Sequence, residues 1–299
     1  MTWSSNLFNF LALNLLRLFA FLPYVFSVYV GYGLGWLAAH IPNERAHVVK
    51  TNLRLCFPHL SEKEIDALAL EHWKLFGRSV IERSRVWLGT SDQIISFVHL
   101  ESAIPLGDRK PRILVNPHFV GLEGGFMALS ALAMKNSWPR GAGLYQKMKN
   151  PFFNQKMVEW RDRFGAKSIE RQSQLRDLIR ETKNGNFVVI APDIDLGPRD
   201  SIFVPFFNIS TSTVTSVSRL AKLSDAEVCL MTTLLNASKT GYICKIGAPL
   251  PGFPSDDPEK DTALLNHYIE ELVRERPAEY YWVHKRFKHR PPGEPSLYD

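Results

Sequence analysis

The longest apolar stretch of the chain lies at its N-terminus. Residues 18–43 contain no Asp, Glu, Lys or Arg, and Arg17 is the only formal charge in residues 1–43. About 20 apolar residues are enough to cross the core of a bilayer, so the pattern predicts an N-terminal membrane helix. Pro23 divides the stretch and leaves two arrangements open. Either residues 7–22 cross the membrane and residues 24–40 pack on the membrane or on the domain, or one kinked helix spans residues 11–30.

Basic residues cluster directly after this stretch, at Arg45, Lys50 and Arg54. Positive charge beside a membrane segment favours the cytoplasmic side. We therefore expect a membrane-anchoring segment, residues 1–43, followed by a cytoplasmic-facing α/β domain, residues 44–299.

Beyond residue 44 the hydrophobic pattern becomes that of an α/β protein. Helical spacing is seen in residues 44–57 and 62–88, and Ser61-Glu62-Lys63-Glu64 is a capping box that opens the second helix. Short apolar runs then alternate with helical segments: strands at 94–100, 112–116, 143–146, 187–191, 227–234 and 241–247, an extended segment at 202–207, and helices at 121–134, 151–164, 173–184, 213–223 and 259–275. This alternation predicts a mixed, largely parallel sheet flanked by helices.

The strongest candidate chemistry lies at the end of the strand Ile113-Leu114-Val115. Pro117 stops the strand because proline has no backbone N–H. His118 follows at once, and Glu123 stands five residues later, where the helical pattern begins. A carboxylate on one ring nitrogen fixes the tautomer and raises the basicity of the other nitrogen, as a general base requires. We expect the two side chains to meet if His118 lies in the loop before the helix. A His-x4-Glu spacing on its own is a weak indication of catalysis, because it is common in sequences.

A second candidate follows the buried strand Phe187-Val188-Val189-Ile190. The loop after it contains Asp193, Asp195 and Arg199. Loops at the carboxyl ends of such strands carry the sites of α/β proteins, so these side chains are candidates for orienting a polar substrate. They are also typical of a turn, with Asp capping and Gly197-Pro198 turning the chain, and without further context the turn is the favoured reading.

Two basic regions are further candidates. Arg161 and Arg163 lie at the end of a predicted helix. An arginine guanidinium can bind a phosphate through two hydrogen bonds. A positive charge at the C-terminal end of a helix also stabilises the helix through its dipole, which is an alternative reason for arginine at this position. Residues 280–290 mix Tyr and Trp with basic side chains. That mixture suits either a solvated end or an anionic membrane interface.

Charge and missing motifs narrow the class of function. The net charge of +6 suggests an anionic partner such as nucleic acid, a phosphorylated substrate or a lipid surface. Three scattered cysteines give neither a disulfide framework nor zinc spacing, so no metal is expected. The sequence lacks a Gly-x-Ser-x-Gly elbow, a P-loop, a His-Glu-x-x-His motif and any nucleic-acid motif. This disfavours serine hydrolases, nucleotide-driven enzymes, zinc peptidases and nucleic-acid binding.

Taken in order, the motifs resemble the lipid A biosynthesis acyltransferase family, the late (lauroyl/myristoyl) acyltransferases of Gram-negative lipopolysaccharide synthesis. The resemblance covers nearly the whole chain. Its motifs are Leu22-Pro23 with the glycine-rich run after it, Asn52-Leu53-Arg54-Leu55-Cys56-Phe57-Pro58, His118-x4-Glu123, Asn150-Pro151, Pro192-Asp193-x-Asp195-x-Gly197-Pro198-Arg199, Phe203-Val204-Pro205-Phe206-Phe207 and Trp282-x-His284-Lys285-Arg286-Phe287-Lys288. The His-x4-acid pair is shared with many glycerolipid acyltransferases, to which the fold is expected to be similar.

The resemblance implies a catalytic dyad. His118 would deprotonate a hydroxyl, and Glu123 would orient His118 and stabilise its charge. The oxygen would attack the thioester of an acyl carrier protein directly, with no acyl-enzyme. The family also relies on an arginine after the Asn-Pro helix, which Arg161 matches best with Arg163 as its rival, and on the first acid of the Pro-Asp-x-Asp motif, Asp193.

Substrates and location follow from the same resemblance. The acceptor hydroxyls would belong to 3-hydroxyacyl chains on a phosphorylated disaccharide. This disaccharide is an anion that Arg161, Arg199 and nearby basic residues would bind. No cofactor beyond the acyl-acyl carrier protein co-substrate is implied, and the site would lie at the cytoplasmic side of the anionic bacterial inner membrane. Two alternatives stay open: an acyltransferase with another (phospho)glycolipid or lysophospholipid acceptor, and a non-catalytic membrane-tethered lipid-binding protein.

Overall fold

The N-terminal apolar stretch forms two helices separated at Pro23. The computed structural model describes residues 3–171, 175–198 and 200–299. Helix α1 spans Trp3–Phe21 and helix α2 spans Tyr24–His40. Across these described residues, no helix is both long and apolar enough to cross a membrane, so the predicted N-terminal membrane helix is not supported. Pro23 splits the apolar run into two helices. Helix α2 has only 17 residues, and α1, with 19, includes the polar residues Asn9, Asn14 and Arg17.

Helix α2 packs closely on a later helix through glycines. Helix α3 spans Glu44–Cys56 behind the Asn43 cap, and helix α4 spans Glu62–Leu88 behind the predicted capping box. A Cβ built on Gly77 of α4 would lie 2.5 Å from the carbonyl oxygen of Gly31 and 2.6 Å from the amide nitrogen of Gly35. The Gly31-x3-Gly35 spacing therefore serves helix packing within the chain. A Cβ added at Gly33, in contrast, would meet nothing within 4 Å.

The remaining chain forms a mixed sheet flanked by helices. The strands are β1 Val98–Ser102, β2 Arg112–Val115, β3 Gly141–Tyr145, β4 Lys167–Glu170, β5 Phe187–Ile190, β6 Ser201–Phe206, β7 Ile209–Val214, β8 Glu227–Leu235 and β9 Tyr242–Pro249. Seven of them form one sheet in the order β1-β9-β8-β2-β5-β3-β4, and β6 with β7 forms a separate hairpin. Neighbours in the large sheet are parallel except for β8 with β9. The prediction of a mixed, largely parallel sheet is confirmed.

Helices cover both faces of this sheet. They are α5 Ser91–Phe97, α6 Leu122–Asn136, α7 Pro151–Asp162, α8 Leu175–Lys183, α9 Ser216–Ser224 and α10 Pro258–Glu275, with a short 3-10 helix at Pro277–Glu279. Successive strand residues point to opposite faces. Ile113 and Val115 enter the core under α3, α9 and α10, whereas Leu114 enters the core under α5 and α6.

Local differences from the predicted elements have identifiable causes. The strand expected in residues 94–100 begins only at Val98, because Thr90 and Gln93 form a capping box that starts helix α5. The helix expected from residue 213 begins at Ser216, because residues 209–214 pair with β6. Strand β4 was not expected; it joins the sheet beside β3.

The aromatic and basic tail is largely buried. Tyr280, Trp282 and Arg286 are each at most 2% exposed. The Arg286 guanidinium donates to the carbonyl of Ser212 and to the Thr213 hydroxyl, both at 2.8 Å. These positions are therefore not the solvated end or membrane interface that the composition suggested. The Tyr281 N–H instead donates to the His118 carbonyl at 2.9 Å, so the tail packs beside the candidate loop.

Candidate active site

Two neighbouring parallel strands bring His118 and the Asp193 loop to the same edge of the sheet. Strand β2 pairs with β5, and Val115 lies opposite Ile190. The Asn116 N–H continues the ladder by donating to the Ile190 carbonyl at 2.9 Å. Pro117 cannot extend it, so the chain leaves the sheet there. The loops after the two strands therefore start side by side, where an α/β sheet places its site.

The carboxylate that supports His118 is Asp193. One carboxylate oxygen accepts from His118 Nδ1 at 2.7 Å, and the other accepts from the His118 main-chain N–H at 2.8 Å. An ionised carboxylate only accepts hydrogen bonds, so the ring hydrogen belongs on Nδ1 and the lone pair on Nε2. Asp193 is fully buried, whereas a quarter of the His118 side chain is exposed. The imidazole is thus fixed on its Nδ1 side by a buried carboxylate, while part of the ring stays accessible to solvent.

The pKa of Asp193 lies below its ordinary value. Burial alone would raise the pKa, but the adjacent charge of His118 and the two hydrogen bonds from that residue outweigh the burial. The Tyr280 hydroxyl donates to the Asp193 carbonyl at 3.2 Å and ties the loop to the tail. The buried carboxylate is therefore kept ionised by the histidine that it orients.

Glu123 has other partners. It stands in the first turn of α6, at the edge of the same site, where its Oε1 accepts from Arg161 Nε and from Trp87 Nε1, both at 2.7 Å. Arg161 Nη2 donates to Oε2 and completes a bidentate pair. Burial raises the pKa of Glu123, but the charge and hydrogen bonds of Arg161 outweigh it and the pKa is lowered.

The expected hydrogen bond between His118 and Glu123 is therefore replaced by two separate pairs, His118–Asp193 and Arg161–Glu123. The physical reason is that both Glu123 oxygens already accept from helices α4 and α7, while the ring of His118 turns toward the end of β5. Joint action of His118 and Glu123 in catalysis stays a prediction.

The two arginines at the end of α7 occupy different surroundings. The helix starts at Pro151, and the Asn150 side chain caps it by accepting from the main-chain N–H of Phe152 at 3.0 Å. Arg161 reaches Glu123 and lines the cavity in front of His118. Arg163 instead donates to the carbonyl of Val86 at 3.2 Å. The geometry brings Arg161 to the site and leaves Arg163 outside it.

Asp195 supports a second histidine. Its oxygens accept from His289 Nδ1 at 2.7 Å and from the His289 main-chain N–H at 2.8 Å, and the Gly197 N–H donates at 2.9 Å. His284 Nε2 lies 3.0 Å from the Asp195 main-chain nitrogen. The oxygens of Asp193 and Asp195 are thus engaged by protein donors, and direct contact of either acid with a substrate stays a prediction. Arg199, the remaining candidate of this loop, lies outside the described residues.

Three further residues belong to the site: Trp87, His284 and His289. His284 appeared in the sequence analysis only within the basic tail and as part of a motif of the family resemblance. Trp87 and His289 carried no signal, because their contacts join segments far apart in the chain. The acids Asp193 and Asp195 after a buried strand could have pointed to the histidines, because a buried carboxylate needs a donor. No such pattern points to Trp87, which donates to Glu123.

Two cavities meet at His118. One is largely apolar, has a volume of about 570 Å³, and is lined by Leu144, Leu175, Leu178, Ile190, Leu196 and Val214 among others. The other, the basic cavity, has a volume of about 650 Å³ and a lining that mixes apolar side chains with charged and imidazole groups: Arg83, Glu123, Arg161, His284, Lys288 and His289. His118, Arg171 and Ile194 line both. A base at this junction faces an apolar space on one side and a basic space on the other.

The cysteines are unsuited to act as nucleophiles. Burial raises the pKa of the Cys229 thiol to about 11 and that of Cys244 to about 12, and burial also raises the pKa of Cys56. The thiolate is the nucleophilic form, so these thiols are inert at neutral pH. In the part of the chain that the structure describes, no group of three or more His, Cys, Asp or Glu side chains converges on a metal position.

Comparison with known proteins identifies the family. The family model of the bacterial lipid A biosynthesis acyltransferases matches residues 3–289. A lipid A biosynthesis lauroyltransferase of Escherichia coli (strain K12) is 31% identical over 299 residues, covering 97% of this chain and 94% of its own. A lipid A biosynthesis acyltransferase of Haemophilus influenzae is 31% identical over 93% of this chain and 89% of its own length. A lipid A biosynthesis palmitoleoyltransferase of E. coli K12 is 30% identical, with 96% and 92% covered.

Proposed function

This chain belongs to the bacterial lipid A biosynthesis acyltransferase family, and from that premise we propose that it transfers a fatty acyl chain from acyl carrier protein to a hydroxyl of a 3-hydroxyacyl chain on a lipid A precursor. The observation that carries the proposal is the position of His118. Its ring is held through Nδ1 by Asp193 and lines both the apolar and the basic cavity where they join, so that Nε2 of the neutral ring can accept a proton there.

In the proposed reaction His118 Nε2 removes the proton of the acceptor hydroxyl as the oxygen attacks the thioester carbon. Asp193 holds the ring and stabilises the imidazolium that forms. The tetrahedral oxyanion then collapses, the thiolate leaves, and the proton returns to it from His118. No acyl-enzyme is needed, in keeping with the inert cysteines.

We assign Glu123 a role through Arg161. The bidentate pair fixes the guanidinium beside the base, where its charge can stabilise the oxyanion. General-base help is typically worth about 10²–10⁴ in rate. Positioning of the two substrates and oxyanion stabilisation supply the remainder.

The two cavities suit the two substrates. The apolar cavity fits the acyl chain of the donor, and the basic cavity fits the phosphorylated disaccharide of the acceptor. The net charge of +6 also favours an acidic carrier protein. Relatives named for lauroyl and for palmitoleoyl transfer are 31% and 30% identical to this chain, so identity alone assigns no acyl chain length.

The proposed location is the cytoplasmic side of the inner membrane, bound through α1 and α2. These helices expose large apolar side chains, each more than half accessible: Phe8, Phe10, Leu18, Phe21, Phe26 and Tyr29. An exposed apolar surface of this size is typical of a membrane or protein contact. Anionic lipid would add attraction for a basic chain.

The membrane proposal is tested by changing charge without touching the core. Phe21→Asp with Phe26→Asp should shift protein from the membrane fraction to the supernatant after sedimentation. Leu223→Asp, an exposed apolar position on α9, is the matched control and should leave the distribution unchanged. Equal sedimentation of all three proteins would place the contact elsewhere.

The catalytic proposal is tested with His118→Ala in purified membranes, using acyl-acyl carrier protein and a lipid A precursor. We expect acyl transfer to fall by about 10²–10⁴ with the fold retained. Unchanged transfer by a folded variant would remove His118 from the mechanism. Parallel assays with a lysophospholipid acceptor decide between the two acceptor classes, and absence of transfer to either would favour a lipid-binding protein.

A further inference from the structure

His289, one of three histidines that line the basic cavity, is held in the same way as His118. Asp195 accepts from the ring and from the main chain of His289 at 2.7 and 2.8 Å, as Asp193 does for His118. The Asp195 side chain is fully buried, whereas 34% of the His289 side chain is exposed. A carboxylate only accepts, so Nδ1 carries the ring hydrogen and Nε2 is left for the cavity. The chain thus orients an imidazole that the proposed acyl transfer does not use.

The surroundings of His289 are electropositive. Arg83, Arg171 and Lys288 line the same cavity, and none of them forms an ion pair with a carboxylate among the described residues. The carboxylates of the cavity, Glu123 and Asp195, are already engaged by protein donors. Uncompensated cations around an oriented imidazole form a site for an anion with several oxygen atoms.

We propose that His289 binds a phosphoryl group as the imidazolium, the form in which both ring nitrogens carry hydrogen, so that Nε2 donates to a phosphoryl oxygen while Nδ1 donates to Asp195. Lys288 supplies a second positive charge beside it. The inference rests on the proposed function, which offers two carriers of this chemistry: the phosphorylated sugar of the acceptor and the phosphodiester in the prosthetic arm of the carrier protein. His289 acts in binding, and His118 remains the base.

One substitution separates this role from a merely structural one. In His289→Asn the side-chain amide can replace Nδ1 and donate to Asp195, so the tail stays tied to the loop. The variant has no group in place of Nε2. His267→Asn is the matched control, because His267 is a mostly exposed histidine of α10 that lines neither cavity.

Steady-state kinetics provide the first readout. His289→Asn should raise the KM for the phosphorylated acceptor about tenfold, the effect of one lost charge-assisted hydrogen bond, with kcat within about threefold of the native value. With a dephosphorylated acceptor, the native protein and the variant should have similar KM values for the acceptor. If the phosphoryl group belongs to the donor, the KM for the acyl carrier protein rises instead, and the defect disappears with an acyl N-acetylcysteamine thioester. Native KM values for all substrates would overturn the proposal and leave His289 as a tie for the tail.

The second readout does not depend on turnover. Glucosamine 1-phosphate is titrated with the full chain in detergent, and its ³¹P line width is followed. The native protein and His267→Asn should broaden the line, and His289→Asn should broaden it much less. Equal broadening by all three overturns the proposal. If the native protein transfers no acyl chain at all, the proposed function fails, while this measurement still decides whether His289 binds phosphate.

Discussion

Replacing Asp193 by asparagine tests which carboxylate makes His118 a base. Both groups that reach the Asp193 carboxylate are donors: the His118 main-chain N–H at 2.8 Å and Nδ1 at 2.7 Å. Asparagine offers one acceptor oxygen and one NH₂ group. One contact would therefore set donor against donor unless the ring hydrogen of His118 moves from Nδ1 to Nε2. In that tautomer the lone pair that faces the substrate is lost.

The expected loss is the whole of the general-base contribution. This is about 10²–10⁴ in kcat, or about 3–5 kcal/mol of transition-state stabilisation. The KM values should change little, because Asp193 is buried behind the histidine and touches no cavity. Glu123→Gln is the comparison: it keeps the His118–Asp193 pair and weakens only the fixing of Arg161. We expect Glu123→Gln to cost at least ten times less in kcat than Asp193→Asn.

The assay is the initial rate of acyl transfer under saturating donor and acceptor, with thermal unfolding of each variant as the check on folding. A loss in folded Glu123→Gln that equals or exceeds the loss in Asp193→Asn would refute the reasoning. It would return the orienting role to Glu123, as the family resemblance implies.

Three further predictions follow from contacts around the site and in the fold. Arg161→Ala should lower kcat/KM by about 10² or more through loss of a fixed cation, while Arg163→Ala, outside the cavity, should stay within about threefold in the same assay. Burial lowers the pKa of His72 from 6.5 to about 4, so the unfolded chain binds more protons than the folded chain between these two pH values. The free energy of unfolding should therefore fall, by about 3 kcal/mol, as the pH falls from 6.5 to 4. His72→Asn should reduce this pH dependence in unfolding measured from about pH 4 to 7. Gly31→Ala should lower the free energy of unfolding by about 1–3 kcal/mol because its Cβ would overlap the backbone of α4, whereas Gly33→Ala should be neutral or slightly stabilising; equal effects in denaturant titrations would contradict the packing argument.

The position of the site was predictable because it depends on local patterns. A short apolar run ending at Pro117 marks where a strand must stop, and Phe187-Val188-Val189-Ile190 marks a second buried strand with acids after it. The loops that follow parallel strands lie at the same edge of a sheet. The sequence therefore predicted both His118 and Asp193 as residues of the candidate site. Arg161 was expected from the family resemblance, which implies a functional arginine after the Asn-Pro helix and left Arg163 as its rival.

The partners within the site were not predictable, because they depend on the order of strands in the sheet. His118 and Glu123 are close in sequence, which favoured a local pair. Strand β5 lies next to β2, however, and brings Asp193 to the ring of His118 across 75 positions of the chain. Arg161 then saturates Glu123 from helix α7. The order of the strands, and not closeness in sequence, therefore determines that His118 pairs with Asp193 and not with Glu123.

The loop from Asp193 to Asp195 links the two halves of the site. Both aspartates are buried, while Ile194 between them faces both cavities. Each aspartate then fixes one histidine, His118 at the junction of the cavities and His289 in the basic one. A shift of this single loop would move the base and the proposed phosphoryl contact together. In the proposed reaction, the spacing of two residues would therefore keep the reacting hydroxyl and the anionic end of the substrate in register.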